Sequence, residues 1–326
     1  MINTAHALPD FSNVLDAAAR IAPHAHATPV LRSRALDAEA GAALHFKAEH
    51  LQRIGAFKFR GACNAVFALD EATAMRGVVT HSSGNHGAAL ALAARLRGIP
   101  CHVVVPDGAV RAKLAAIEHY GAVLHPCTAT IAAREAACAR VQADTGGTVV
   151  HPYTDPQVIA GQGTATLELL TAQPDLDALV VPLGGGGLAA GTALAMRALA
   201  PDCMLFLAEP EGAADGARSF ARGALDHDFV PDTVCDGLRG TLGAINFDLL
   251  RAAQARVLTV DDARTVAALR LLWTRTKQLV EPSSAIALAA VLAHRELFAG
   301  RRVGIVLSGG NVDLDALAPL LARAAG

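Results

Sequence analysis

"ALVVPLGGGGLAAGTALAM", residues 178–196, carries no charge from end to end. Two readings compete for it. A membrane span needs an unbroken apolar helix of about 20 residues. Pro182 and the consecutive glycines Gly184, Gly185, Gly186 and Gly187 fall in the middle and break that helix, so a span is rejected. What remains is a buried strand, a glycine turn and a helix. Consecutive glycines let the backbone turn several N–H groups toward one point, and the helix adds its positive end. That combination cradles phosphate. No Gly-Lys-Ser/Thr follows, so the loop is not a Walker P-loop. Gly184, Gly186 and Ala189 also fit a dinucleotide fingerprint, with Glu209 ending the next apolar run where a ribose-binding acid would stand. On that alternative the chain is an NAD-dependent oxidoreductase.

The same grammar recurs on either side. Apolar runs at 76–81, 100–106, 122–127, 147–152, 176–184, 204–210 and 301–311 alternate with helical patterns at 86–98, 109–121, 130–146 and 187–199. Continuous Val, Ile and Leu strands between helices predict an α/β fold with parallel sheets covered by helices on both faces. The short β-α units near 77–150 suggest a smaller lobe. The expected division is a large domain over 1–76 and 154–326 and a small substrate-side domain over 77–153.

The chain has 326 residues and a formal net charge of -2, with 52% apolar residues. A substantial core is available, and there is no electrostatic footprint for nucleic acid or for an anionic membrane. The first 23 residues lack a charged n-region followed by an apolar one, so no secretory signal is expected. The 6 cysteines are scattered without a C-x-x-C pair. They read as small core residues in a reducing, cytoplasmic setting.

Two further loops end in polar glycine turns. "THSSGNHGAALALAARL" (80–96) offers Ser82, Ser83, Asn85 and His86 within a few positions of a helix start. A helix cap accounts for one of these groups, not for all; a substrate carboxylate accounts for more. "VLSGGNVD" (306–313) ends an apolar run in Ser308, whose hydroxyl at a sheet edge suits a ligand's ring nitrogen. Open α/β sheets bind ligands at the carboxyl ends of their strands, where all three loops fall. Finally, "GAFKFRGA" (55–62) sets Lys58 between Phe57 and Phe59. Apolar surroundings disfavour a charged amine and free it for nucleophilic work; an ordinary lysine on a helix would instead extend its head to water. A phosphate cradle, a carboxylate site, a ring-nitrogen partner and an amine together describe pyridoxal 5′-phosphate.

The segments "FKAEHLQRIGAFKFRGACNAV", "THSSGNHG", "HPYTDPQVIAGQGT", "VVPLGGGGLAAG", "AEPEGAAD", "VEPSSA" and "VLSGGNVDL" resemble, in order, serine racemase and the serine/threonine dehydratases, the two-lobed fold type II pyridoxal-phosphate enzymes. The resemblance runs from about residue 20 to about residue 315. It implies that Lys58 is the Schiff-base lysine and Ser83 the base on the opposite face. It implies cofactor contacts from Phe57, Asn85, Gly184 to Gly187, Leu188 and Ser308. Ser82, Ser83, Asn85 and His86 match the carboxylate loop. Glu209, the Ala213 carbonyl and Asp215 match a site for a divalent cation (magnesium, manganese or calcium). Racemases tend to carry Asn where Tyr153 stands here, and bacterial threonine dehydratases an aromatic. "LLWTRTKQLVEPSSA" is also similar to hydroxyaspartate dehydratases, with Arg134 and Arg239 as candidate partners for a second carboxylate. The chain stops soon after "SGGNVDL", which argues against the long, feedback-controlled threonine dehydratase.

The expected protein is therefore a cytoplasmic, homodimeric pyridoxal-phosphate lyase. It would convert a small 3-hydroxy amino acid, L-serine or L-threonine first, to a 2-oxo acid and ammonia, with serine racemisation as a side activity. Hydroxyaspartate dehydration, a nicotinamide-dependent oxidoreductase and a non-enzymatic amino-acid-binding module stand as alternatives.

Overall fold

The computed structural model describes residues 8–109, 111–226, 228–315, 319 and 321. The amino-terminal stretch read for a leader thus begins, at 1–7, outside the described residues. In chain order the strands are β1 (Val30–Leu31), β2 (Ala43–Lys47), β3 (Val78–His81), β4 (Cys101–Pro106), β5 (Val123–Cys127), β6 (Thr148–Val149), β7 (Ala178–Pro182), β8 (Met204–Pro210), β9 (Arg256–Val260) and β10 (Arg302–Val306). They form two sheets, ordered β1-β2-β10-β7-β8-β9 and β5-β4-β3-β6. Every pairing is parallel except β1 with β2.

Side-chain alternation divides each sheet between two cores. In the larger sheet Val180, Phe206 and Ile305 point to a cluster with the helix Pro282–Ala293, which is buried along most of its length. Leu179, Val181, Leu205 and Leu207 point the other way, toward the helices Pro156–Ala172 and Gly187–Leu199. In the smaller sheet Val78, Val103 and Val105 meet the helices Lys58–Ala68 and Asn85–Arg97, while Val79 and Val104 meet Ile131–Thr145. Helices therefore cover both faces of both sheets, as the continuous apolar runs require.

The 147–152 run forms only the two residues of β6, because Gly147 and Pro152 bound it. β2 escaped the sequence reading because His45 and Lys47 interrupt its apolar run, yet both are buried. Lys47 is tolerated there because its Nζ donates to the Thr28 carbonyl at 2.6 Å and to Glu168 at 2.5 Å.

The helix Lys58–Ala68 lies between the two sheets. Its Gly61 faces Gly161 so closely that a Cβ on Gly161 would stand 2.6 Å from the Gly61 Cα. Arg60 fastens the same helix: its Nε reaches Glu49 at 2.7 Å and its Nη1 reaches Glu168 at 2.7 Å. Arg60 and Glu49 are both fully buried, so removing either one would strand the other's charge, while Glu168 joins the network from a partly exposed position. Among the described residues no helix is long and apolar enough to cross a membrane.

Candidate active site

Three strands of the two sheets, β3, β7 and β10, end in the three loops singled out from sequence, and the structure joins these loops around Lys58. The Phe57 amide donates to the Ser308 carbonyl at 3.0 Å, and Ala56 bridges Gly309. Lys58 begins its helix, and its Nζ donates to the Pro152 carbonyl at 2.9 Å. Next to Pro152, Tyr153 packs on the glycine loop: a Cβ on Gly185 would stand 2.4 Å from the Tyr153 Cγ. On the other side Asn85 Nδ2 approaches Glu281 at 3.2 and 3.3 Å, and the Glu281 amide donates to the Gly309 carbonyl at 3.0 Å.

The Lys58 amine sits 5.2 Å from the Phe57 ring centroid. Burial pushes its pKa down to about 8, against the nearby Glu281 charge, which raises it. The amine is thus within reach of its neutral, basic form near physiological pH. His86 and His151 stand close enough to feel the Lys58 charge. Burial first, then Lys58, holds His86 well below the usual imidazole range. Burial, then His81, then Lys58 lowers His151 to about 4. Both rings are neutral hydrogen-bonding groups rather than cations. His86 Nε2 faces the Val150 carbonyl at 3.2 Å, which places its proton there, and its buried Nδ1 has no hydrogen-bond partner.

The glycine loop is built for close approach. Gly186 has φ 91, the left-handed conformation that glycine alone adopts freely, and it precedes the helix Gly187–Leu199 with no side-chain cap. Leu188 is buried in that helix's first turn. A Cβ on Gly184 would lie 2.9 Å from the Leu238 backbone, and one on Gly187 3.0 Å from Tyr153. Asn246 Nδ2 pins the loop by donating to the carbonyls of Gly185, at 2.6 Å, and Tyr153, at 2.9 Å. The helix Asn85–Arg97 likewise begins at Gly84 without a side-chain cap. Ser82 supports its own turn through Gly84 N at 3.4 Å, and no described group bonds the Ser83 hydroxyl. Capping therefore does not account for Ser83 or Asn85, and two helix starts stay open to anions. An anion cradle, an amine with a lowered pKa and a buried serine at the third loop fit pyridoxal phosphate.

Glu209 and Asp215 are brought together, with Ala213 between them in a short 3-10 turn, and all three are buried. Burial foremost, with the Asp215 charge adding, raises Glu209 to about 8. Glu209 accepts from the amides of Gly216 and Ala217 at 2.8 Å each, and Asp215 Oδ2 accepts from Leu242 N at 2.8 Å. Among the described residues no cluster of three or more His, Cys, Asp or Glu forms a metal site. Glu209 is turned into the turn and helix that follow it, so it is not poised as a ribose ligand, and the dinucleotide fingerprint loses its acid.

The two candidate arginines part company. Arg239 spends Nε and Nη2 on the Thr233 carbonyl, at 3.3 and 2.6 Å. Arg134 is half-buried, and its buried Nε has no hydrogen-bond partner. Its charge is felt by His81 and by Tyr153. The His81 ring lies 5.3 Å from that of His151, which lies 4.5 Å from that of Tyr153. The sequence reading passed over Glu281 and His151. Glu281 carried a usable signal. It occupies an N-cap position before Pro282, yet makes no side-chain cap bond; the residues favoured there are Ser, Thr, Asp and Asn.

Comparison with known proteins agrees with this geometry. The family model described as pyridoxal-phosphate dependent enzyme matches residues 21–309. The chain is 48% identical to a beta-hydroxyaspartate dehydratase of Paracoccus denitrificans, over 95% of this chain and 98% of that one. It is 45% identical to a serine racemase of Arabidopsis thaliana, over 94% and 95%. The solved structure of maize serine racemase superposes with a TM-score of 0.92 at 43% identity, covering 97% of this chain and 98% of that one.

Proposed function

The chain belongs to the pyridoxal-phosphate dependent enzyme family, among its dehydratases and racemases, and on that premise we propose that it dehydrates 3-hydroxyaspartate to a 2-oxo dicarboxylic acid and ammonia. The observation that carries this reading is Arg134. A half-buried guanidinium whose Nε has no partner, and whose charge reaches His81 and Tyr153, is ready to pair with an anion. A 3-hydroxy dicarboxylic amino acid brings a second carboxylate to it; serine and threonine bring none. The name of the Paracoccus relative supports the same substrate class. The nicotinamide and binding-module alternatives have no support in this family.

Bound pyridoxal phosphate supplies an electron sink for the bond electrons released at the substrate's α-carbon. In the proposed mechanism the glycine loop and the start of the helix Gly187–Leu199 hold the phosphate. Phe57 would pack along the ring, Asn85 would bond its hydroxyl oxygen, and Ser308 would meet its nitrogen as a neutral group. Ser82, Ser83, Asn85 and His86 hold the α-carboxylate at the open start of their helix. Lys58 would anchor the cofactor, and its amine, brought by burial within reach of its basic form, would take the α-proton. Residues 77–153 act as the small substrate-side domain against the large one of 1–76 and 154–326. Free cysteines at all 6 positions are in keeping with a reducing setting, and a cytoplasmic homodimer belongs to the same proposal.

Replacing Arg134 tests the substrate. Arg134→Gln should lower kcat/KM for 3-hydroxyaspartate by about tenfold to a hundredfold, the worth of a hydrogen bond to a charged group. L-Serine turnover should change far less. Equal losses on both substrates, or a parent enzyme inactive on every 3-hydroxyaspartate isomer, would overturn the dicarboxylate assignment. A second reading, serine dehydration with racemisation, is favoured by the unengaged Ser83 hydroxyl.

A divalent cation at Glu209, Asp215 and the Ala213 carbonyl belongs to the same proposal, supported by two buried carboxylates side by side. Two carboxylates and a carbonyl are the hard oxygen donors that magnesium and calcium take, with water completing the shell. A cation that binds the folded state alone stabilises it by mass action. Magnesium, manganese or calcium should raise the melting temperature of metal-stripped enzyme, and chelator should reverse it. Identical melting curves for stripped and metal-loaded protein would remove the cation from the proposal.

A further inference from the structure

Ile54 has φ 59 and ψ 7. This left-handed conformation is costly for a β-branched side chain. Of the described non-glycine residues with positive φ, Ile54, Gln254 and Lys277, it is the only β-branched one. It stands four positions before Lys58, in the loop that delivers the amine. Such a conformation persists only where its surroundings hold it. The holding groups come from the loop after β10. Asn311 Nδ2 donates to the Ile54 carbonyl at 2.8 Å, the Gly310 amide donates to the Gly55 carbonyl at 2.9 Å, and the Phe57 amide donates to the Ser308 carbonyl at 3.0 Å.

Asn311 has a second attachment. The same Nδ2 donates to Asn85 Oδ1 at 2.8 Å, in the loop after β3 of the other sheet. Its backbone amide donates to Glu281 Oε2 at 3.1 Å, and Glu281 in turn accepts from Asn85 Nδ2. Both hydrogens of one amide thus join the strained approach to Lys58 with the loop proposed to receive the substrate carboxylate. Gly55 makes room for this: a Cβ there would meet Asn311 Oδ1 at 2.7 Å.

We propose that Asn311 is a positioning residue that couples the seating of the Asn85 loop to the strained conformation of Ile54, and so to the placement of Lys58. When the Asn85 loop is seated, Asn311 is fixed from two sides and holds Ile54 in place. When it is not, the hold on the Ile54 carbonyl weakens and the loop can relax. Lys58 is thereby presented only with the carboxylate loop in position. This rests on Lys58 as the working amine, but its structural half is testable without turnover.

The experiment is hydrogen exchange at the Gly55 and Phe57 amides of the holoenzyme, with kcat measured alongside. Asn311→Ala should speed exchange at both amides about tenfold or more and lower kcat. Asn85→Ala should speed the same amides, although the hydrogen bonds of Asn85 go to Asn311 and Glu281 rather than to Ile54, and should add nothing to their exchange in the Asn311→Ala background. Ile54→Gly, which takes the left-handed conformation without strain, should restore both protection and kcat to Asn311→Ala. Unchanged exchange in Asn85→Ala, or independent, multiplying effects of the two asparagine replacements on exchange, would overturn the coupling. If Asn311→Ala fails to fold, Asn85→Ala alone decides by the same amides. Exchange reports on the loop whether or not Lys58 is the catalytic amine, so failure of that assignment would show separately, as retained turnover in a Lys58 variant.

Discussion

Lys58→Ala is expected to abolish turnover, with a loss of more than about 10⁴-fold, the upper range for removing a general base alone. The loss exceeds that range because the covalent anchor goes with the base. Burial lowers the amine to about 8. The base form is the deprotonated one, so wild-type activity limited by this group should rise with pH and level off above about 8. Added small amines should restore a little activity to Lys58→Ala, and that activity should follow the amine's own pKa instead. Borohydride reduction of the wild-type holoenzyme should attach the cofactor to the peptide carrying Lys58, and in the variant it should not. Near-normal activity in Lys58→Ala, or labelling at another lysine, would remove Lys58 from its role.

Much of this site could be read from the sequence because the chemistry sits in short loops of unusual composition. Gly184–Gly187 after an apolar run announced a strand, a turn and a helix start, and the structure has β7, Gly186 at φ 91 and a helix from Gly187. Lys58 between two phenylalanines announced an amine in apolar company, and burial does lower its pKa. What stayed hidden depends on contacts between distant segments. Glu281 lies 196 positions from Asn85, its partner, and reads as an ordinary acid before a proline. Asn311 gains its meaning from Ile54, 257 positions away, and nothing local marks Ile54 as left-handed. Arg134 and Arg239 look alike in sequence; a backbone carbonyl engages one and leaves the other's Nε without a partner. β2 was hidden for a related reason. Lys47 reads as a surface residue until Glu168, from a helix more than a hundred positions on, supplies its counter-charge.

Ser83→Ala should separate the two enantiomers of serine. Lys58 follows the loop clamped to the end of β10, and Ser83 lies in the loop after β3, in the other sheet. On the proposed two-domain arrangement, groups from these two loops would approach a planar reaction centre from two sides, with Ser83 opposite the lysine. On that arrangement an L-substrate would present its α-proton to Lys58, and elimination from it would need no second base. A D-substrate would present its proton to Ser83. Removing that hydroxyl should therefore cost D-serine about 10²–10⁴-fold more than L-serine, the range for one general base. L-serine turnover should fall only modestly, through the lost hydrogen bond to the carboxylate, of order tenfold or less. The assay is release of 2-oxo acid from each enantiomer, with chiral analysis of the serine left over. Equal proportional losses would reduce Ser83 to a carboxylate ligand. A parent enzyme that never consumes or forms D-serine would defeat the two-base reading. Lys58 would then be the only proton-transfer group at the α-carbon, and the enzyme a dehydratase of one configuration.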